Sequence, residues 1–201
     1  MSQPLVLACG ALVSELRRVL AASGIEQHVE VRYLPANLHN QPHRIVPTLE
    51  ALLDELDPHG DRTVLVGYGD CGTGGHLDAL VARRPNVCRL PGDHCYEFFA
   101  GSDAFHALAD AELGTFYLTD FLAKHFDALV WQGLGLDRHP ELLASYFGHY
   151  TRVLLLSQSD DPAVVEAAQR AAQQLGLRFE HVPVGLNHFS EAVGLTIRKV
   201  A

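Results

Sequence analysis

The chain has 201 residues, of which 48% are hydrophobic, so it is long enough to bury one sizeable core. Its formal net charge is −9, and the acidic residues are scattered along helical stretches instead of forming a block. This charge argues against nucleic acid or an anionic membrane as a main partner. No segment reaches the ~18 consecutive apolar residues of a membrane span, and PLVLACGALV lacks the basic region and length of a secretory signal. We therefore expect a cytoplasmic protein.

Short apolar strands alternate with amphipathic helices through the first half of the chain. The predicted strands are PLVLACG, VEVRYLP, TVLVGYG and NVCRL. The predicted helices are ALVSELRRVLAASG, VPTLEALLDEL, GGHLDALVARR and CYEFFAGSDAFHALAD. A polar loop, ANLHNQPHR, separates the second strand from the second helix.

The middle of the chain is rich in aromatic residues and less regular. Within it, ALVWQ reads as an apolar strand, and Thr119 or Asp120 is placed to cap a helix FLAKHF. Regular structure then returns, with predicted strands TRVLLLSQ and RFEHVPV on either side of a helix AVVEAAQRAAQQL. We expect Asp161 to cap this last helix and Gly176 to end it.

This alternation predicts an α/β fold. Near-continuously apolar strands separated by helices call for a mostly parallel sheet with helices on both faces, in a Rossmann-like or flavodoxin-like arrangement. We expect a single domain over residues 1–201. The strand–helix–strand pattern recurs at 151–184, so two small lobes are an alternative, with their boundary within 112–127. The apolar helix stripes would also suit a homodimer.

Three cysteines follow three of the predicted strands. Cys9 ends the first strand, Cys71 lies just past the third, and Cys95 follows the fourth by a few residues. Ligands of parallel sheets collect at the carboxyl ends of the strands, so these thiols would meet at one edge if the strands are neighbours. Each cysteine also precedes or opens a helix, where the helix dipole favours a thiolate. Cys88 falls inside a strand and is assigned to the core.

Three converging thiolates indicate a metal centre. With a fourth ligand they would suit zinc, and soft sulfur is also compatible with an iron–sulfur cluster. We favour His39 over His94 as the fourth ligand, because the loop that carries His39 ends at the same edge of the sheet. The competing interpretation is that the cysteines are small hydrophobic core residues.

The glycine-rich segment GDCGTGG offers a second kind of binding. It matches neither a dinucleotide nor a triphosphate motif, but the backbone amides of Gly72, Thr73, Gly74 and Gly75 would hold a phosphate or carboxylate at a helix start. Asp70 is a candidate general acid or base, or an acceptor for a metal ligand, and its structural alternative is to cap the helix that follows.

A further candidate lies in GLGLDRHPEL. Arg138 is placed to hold an anionic substrate by a bidentate contact, although Asp137 and Arg138 would also simply complete a local turn.

At these residues the sequence resembles a family described as domain of unknown function 1638. The similarity covers nearly the whole chain and rests on seven segments in order: ACG, LHN, YGDCGTGG, HCYEFFAG, GTFYLTDFLAKHFD, GLGLDRHPEL and YFGHY. The resemblance implies that Cys9, Cys71, Cys95 and His39 belong to the family's motifs and that Cys88 does not. It also implies one-carbon metabolism, because such proteins are encoded near corrinoid-dependent methyltransferases and tetrahydrofolate enzymes.

Three functions remain open at this point. The first is a metal-dependent transferase of methyl or one-carbon groups that acts on a small-molecule ligand. The second is an accessory protein that delivers a metal, corrinoid or folate to methyltransferase partners. The third is a metal-free enzyme with Cys71 as a nucleophile of low pKa.

Overall fold

The protein has an α/β fold with two parallel sheets. A computed structural model describes residues 2–200, and it describes the side chains as far as residue 194. The chain divides into two compact units: the first ends at Phe98 and resumes at Leu186, and the second is Phe99–Gly185. The lobe boundary expected within 112–127 lies inside the second unit.

The first unit contains a four-stranded parallel sheet with the order β2-β1-β3-β4. Its strands are β1 Leu5–Cys9, β2 Glu30–Leu34, β3 Val64–Gly67 and β4 Val87–Arg89. The helices that begin in this unit are α1 Val13–Ala22, α2 Ile45–Leu56, α3 His76–Ala82, α4 Cys95–Ala100 and α9 Asn187–Val200. All four strands predicted for this half of the chain are confirmed.

The core of the first unit forms because strands and helices contribute matching apolar surfaces. The residues of β3 are all buried, and α2 packs its apolar stripe, including Leu49 and Leu53, into the same cluster. Helix α9 follows the second unit in the sequence and packs on β3 and β4 of the first unit. Its Phe189 is fully buried and stacks on Phe98, with ring centroids 5.3 Å apart.

The second unit contains a three-stranded parallel sheet with the order β5-β6-β7. Its strands are β5 Thr115–Leu118, β6 Arg152–Ser157 and β7 Arg178–Pro183. Its helices are α5 Ser102–Ala111, α6 Asp120–Lys124, α7 Leu143–Phe147 and α8 Pro162–Leu175. As predicted, the Asp161 carboxylate caps α8 by accepting from the Ala163 amide at 3.0 Å, and Gly176 ends it with a φ of 70°. Thr119, one of the two expected caps, caps α6.

Three local predictions were wrong. The segment ALVWQ is a π-helical turn, Asp127–Trp131, in which the Gln132 amide donates to the Asp127 carbonyl at 2.8 Å. Its apolar residues fit because Phe126 and Val130 face the core at helical spacing. Gly101 divides the single helix predicted for 95–110, since its φ of 83° and ψ of 142° suit only glycine. The third difference is strand β5, which lies in the aromatic middle of the chain where the sequence analysis predicts no strand.

The length and the apolar character of a helix determine whether it could cross a membrane. Within residues 2–200, no helix combines the length and the apolar character that crossing a bilayer requires.

Candidate metal centre

Three cysteines lie at the carboxyl edge of the first sheet, as the sequence predicts. Cys9 is the last residue of β1, Cys71 lies in the loop after β3, and Cys95 is the first residue of α4, which follows β4. Strands β1, β3 and β4 are consecutive neighbours in the sheet. The topology therefore delivers the three thiols to adjacent positions along one edge.

Backbone hydrogen bonds join the loop after β3 to the loop after β4. We call residues 68–75 the β3 loop and residues 90–94 the β4 loop. The Asp70 amide donates to the Gly92 carbonyl at 3.0 Å, and the Cys71 amide donates to the Asp93 carbonyl at 2.7 Å. Gly69 permits this approach, because a Cβ atom there would lie 2.9 Å from the Gly92 oxygen. The joined loops bring Cys71 toward the start of α4.

The Arg89 side chain stabilises the β4 loop. Its guanidinium donates to the carbonyls of Leu90 and Gly92, at 2.8 and 2.9 Å. The same group forms a bidentate ion pair with Asp78 of α3, at 2.6 and 3.0 Å. Arg89 thus ties the last strand of the sheet, the β4 loop and α3 together beneath the cysteines.

The three thiols interact electrostatically. Burial, and to a smaller extent the proximity of Cys9, raises the pKa of Cys71 to about 12. Burial also raises the pKa of Cys95 well above its ordinary value, and Cys71 and Cys9 add to that increase. The pKa of Cys9 is raised by burial, against the lowering effect of the Ala11 amide and the Tyr68 hydroxyl. The thiols are therefore neutral at physiological pH in the metal-free protein, and burial outweighs the helix dipole that was expected to favour thiolates.

The thiols are neighbours without being arranged around one point. Among the side chains described, through residue 194, no three Cys, His, Asp or Glu residues form a ready-made ligand set. Binding of an ion would therefore require side-chain rotations at this edge. Cys88 takes no part, since its thiol lies 3.5 Å from the Val64 carbonyl within the sheet.

The two candidate histidines lie close to each other. His39 belongs to a 3-10 turn, Ala36–Asn40, which follows β2, and His94 is the last residue of the β4 loop. Desolvation lowers the pKa of His39, and the nearby charge of His94 lowers it further. A neutral imidazole is the form that binds metals, so the environment of His39 suits a ligand.

The glycine-rich β3 loop is occupied by its own aspartate. The Asp70 carboxylate accepts from the Thr73 hydroxyl at 2.5 Å and from the amides of Gly74 and Gly75 at 3.0 and 2.9 Å. Partial burial raises the pKa of Asp70, but these hydrogen bonds and the charge of Arg89 lower it more. Asp70 is thus an ionised carboxylate that orders the turn before α3. Of the four amides proposed to hold an anion, two already donate to this carboxylate and that of Thr73 donates to the Asp70 carbonyl.

Cys71 adopts an unusual backbone conformation. Its φ is 51°, and it is the one non-glycine residue with a positive φ among the described residues. The left-handed region is unfavourable for residues with a Cβ and is often found at functional sites. The backbone of the β3 loop is therefore held in place by its contacts.

The comparison with protein families matches residues 33–193 to a family described as "Protein of unknown function (DUF1638)". The chain belongs to this family. No curated protein and no solved structure shows a significant match to it. Within the DUF1638 segment lie His39, Asp70, Cys71, Cys95 and Arg138, whereas Cys9 precedes it.

Arg138, the second candidate catalytic residue of this DUF1638 protein, belongs to the second unit. It is largely exposed, and its Nε lies 3.7 Å from the Asp137 carboxylate. The observed contact is therefore the local one between neighbouring residues.

Tyr68 is a residue of the site that the sequence analysis missed. Its side chain is buried at the first position of the β3 loop, and the Cys9 thiol interacts with its hydroxyl. A polar-tipped aromatic residue at the carboxyl end of the apolar run TVLVG was the signal that would have identified it.

Proposed function

We propose that this protein binds a thiophilic metal ion through Cys9, Cys71 and Cys95 and uses it in one-carbon or methyl-transfer metabolism, as a metal-dependent transferase. The observation that carries the proposal is that Cys9, Cys71 and Cys95 follow three neighbouring strands and so share one edge of the sheet. Three partly buried cysteines at the carboxyl edge of a parallel sheet occupy the position where such folds bind their ligands.

A bound cation explains why these thiols would gather at one edge. Because their pKa values are raised, Cys71 and Cys95 keep their protons near neutral pH unless a positive charge replaces them. Metal ions bind thiolates and release the protons, so binding would be coupled to pH and to rotation of the side chains. Zinc fits three thiolates best, with His39 as the fourth ligand, and an iron–sulfur cluster is the alternative.

The proposed catalytic role depends on an open coordination position, so in the enzyme a substrate would take the place of His39 as the fourth ligand. A zinc ion held by three protein ligands would accept the thiol or water of a substrate and lower its pKa, which makes it a nucleophile for a methyl group. A corrinoid or tetrahydrofolate would be the methyl donor or acceptor. Asp70 would act indirectly in this scheme, because its carboxylate orders the loop that carries Cys71.

The metal-free alternative is less well supported. A nucleophilic Cys71 would need a low pKa, whereas burial raises its pKa to about 12. The accessory role, delivery of a metal, corrinoid or folate to methyltransferase partners, shares the same metal centre. It differs from the enzyme only in the absence of turnover.

The proposal also covers the cellular compartment of the protein and its oligomeric state. The four cysteines are free, which supports a reducing cytoplasm. Apolar helix stripes support a homodimer, which sedimentation would test.

Serine substitutions test the metal centre directly. We expect anaerobically purified protein to contain one zinc ion, or one cluster with a brown colour, by elemental analysis and visible spectroscopy. Cys71→Ser and Cys95→Ser should each lose the metal, whereas the matched control Cys88→Ser should retain it. Equal metal content in all three variants, or none in the unmodified protein after reconstitution with zinc or with iron and sulfide, would refute the proposal.

Turnover separates the enzyme from the accessory protein. The loaded protein is incubated with a methylated amine, a corrinoid and tetrahydrofolate, and methyl-tetrahydrofolate is measured. Product that disappears in Cys71→Ser but not in Cys88→Ser supports the enzyme. Stoichiometric metal without product supports the accessory role.

A further inference from the structure

A cavity of about 390 Å³ lies between α2 and α3 of the first unit. We call it the α2–α3 groove, and the side chains that line it fall within 42–50 and 73–83. Its volume is within the range of about 300–1,000 Å³ that small-molecule sites occupy. Both helices lead from the carboxyl end of one parallel strand to the start of the next, so they run in the same direction. One end of the groove therefore lies toward the carboxyl edge of the sheet.

The apolar walls of the groove are small and stiff. Pro42, Val46 and Pro47 form the wall on the side of α2, and Ala79 contributes to the wall on the side of α3. Proline rings and β-branched side chains have little rotational freedom, and alanine is too small to fill the space. A slot that is already formed loses little conformational entropy when it takes up an apolar ring, which favours binding.

Two histidines lie at the end of the groove nearest the carboxyl edge. His43 comes two residues before α2, and His76 is the first residue of α3. Both side chains are exposed, and neither imidazole forms a hydrogen bond or ion pair with another described residue. An imidazole ring carries at least one N–H donor in either protonation state. The two rings therefore offer unused donors, which suit the two oxygens of a carboxylate.

An ion pair lies at the other end of the groove. The Arg83 Nη2 donates to the Glu50 carboxylate at 2.6 Å, about one to two helical turns beyond the histidines. Glu50 is the one carboxylate among the described residues that line the groove, and it offsets the charge of Arg83. The nearby amides of Thr73, Gly74 and Gly75 already donate to Asp70. A doubly charged phosphate would thus find few free donors, whereas a carboxylate with one charge needs only the two imidazoles.

We propose that the α2–α3 groove binds a small aromatic carboxylate, with the carboxylate against His43 and His76 and the ring against the apolar walls. A flat ring buries a large apolar area with few rotatable bonds, which matches a preformed slot. No cysteine lines the groove, so this ligand site is separate from the proposed metal centre.

Benzoate is the probe, and benzamide and acetate are its matched controls. Benzamide keeps the ring but lacks the charge, whereas acetate keeps the charge but lacks the ring. Each compound is titrated into the full-length, metal-free protein, and binding is followed by the NMR shifts of the backbone amides. We expect benzoate to bind with a dissociation constant of about 1 mM or lower, and each control at least about 10-fold more weakly.

Substitutions in the groove test the two parts of the site. His43→Ala and His76→Ala should each weaken benzoate binding about 10-fold, because each removes a charge-assisted hydrogen bond. His59→Ala should leave it unchanged, since His59 is an exposed histidine of the same unit outside the groove. Ala79→Leu should abolish binding by filling the slot. Urea unfolding verifies that each variant is folded.

Three results would each overturn the proposal: equal affinity for benzoate and benzamide, unchanged benzoate binding in the two histidine variants and Ala79→Leu, or no binding at about 10 mM benzoate. Cys71→Ser should bind benzoate as the unmodified protein does. A protein that binds zinc but not benzoate would refute this inference alone, and one that binds benzoate but no metal would refute the metal centre alone.

Discussion

Replacement of Gly69 by alanine tests how the cysteine loops are assembled. A Cβ atom at this position would lie 2.9 Å from the Gly92 carbonyl oxygen and 3.3 Å from the His94 amide nitrogen. Both contacts are to backbone, which cannot rotate away as a side chain can. The β3 and β4 loops must therefore separate by about half an ångström to restore an ordinary contact distance.

The loss of unfolding free energy follows from the hydrogen bonds that join the two loops. Separation lengthens the Asp70–Gly92 and Cys71–Asp93 hydrogen bonds, now 3.0 and 2.7 Å, each worth about 1 kcal/mol net. Overpacking of this kind typically costs about 1–3 kcal/mol. We expect Gly69→Ala to lose about 2 kcal/mol of unfolding free energy and to move Cys71 away from Cys95.

Gly74→Ala is the matched control in the same loop. No atom lies within 4 Å of a Cβ built there, so its cost is the left-handed backbone alone, with a φ of 65°. That cost is about 1 kcal/mol. Urea unfolding measures the stability of both variants, and a bifunctional thiol cross-linker with peptide mapping measures the proximity of Cys71 and Cys95.

Only Gly69→Ala should lower both the Cys71–Cys95 cross-linking yield and the affinity for Zn²⁺. The reasoning is refuted if the two variants cross-link equally well, because the joined loops would then not determine where Cys71 lies. The cross-linking result does not depend on any metal, so it tests the geometry separately from the proposed function.

Two further predictions concern charged groups. The pKa of Asp70 is lowered in the folded protein, so its carboxylate stabilises the fold above its unfolded pKa, and that contribution is lost as the pH falls through the folded pKa. Asp70→Asn should therefore be about 1 kcal/mol less stable than the unmodified protein at pH 7. The difference should begin to shrink below about pH 4 and should vanish only once the pH has fallen through the lower folded pKa. Urea unfolding that shows an undiminished difference between about pH 7 and about pH 3 would contradict this. In the second unit, the Arg152 side chain is 7% exposed, and its Nη1 pairs with Glu180 at 2.6 Å while its Nη2 donates to the Leu108 carbonyl at 3.0 Å. Arg152→Met should cost about 2 kcal/mol in urea unfolding, because the Leu108 carbonyl and the partly exposed Glu180 carboxylate lose their donor, whereas a change below about 1 kcal/mol would show that the network is dispensable.

The sequence predicted the elements whose local preferences agree with their final environment. TVLVG and RVLLLS are continuous apolar runs, which suit strands that are buried on both faces of a parallel sheet. Asp161 and Gly176 mark the ends of α8 by cap chemistry that acts over a few residues. The positions of the three cysteines at strand ends follow from the same local reasoning.

Features that depend on distant residues could not be predicted in this way. ALVWQ has the composition of a strand, but packing of Phe126 and Val130 against the second core makes it helical. The predicted single sheet is two sheets, because no property of a strand reveals which strands pair with it. The occupation of the glycine-rich loop by Asp70 depends on the conformation of that loop, which no single residue reveals.

The return of α9 to the first unit affects the order in which the protein can mature. The ribosome makes the cysteines early, but the helix that covers β3 and β4 is made only after the whole second unit has been translated. Until Phe189 packs against Phe98, one side of the cysteine-bearing sheet lacks its apolar cover. Under the proposed function, cofactor loading at this edge would therefore be a late event, and cells that make the chain would have to keep three reduced thiols unreacted until synthesis is complete.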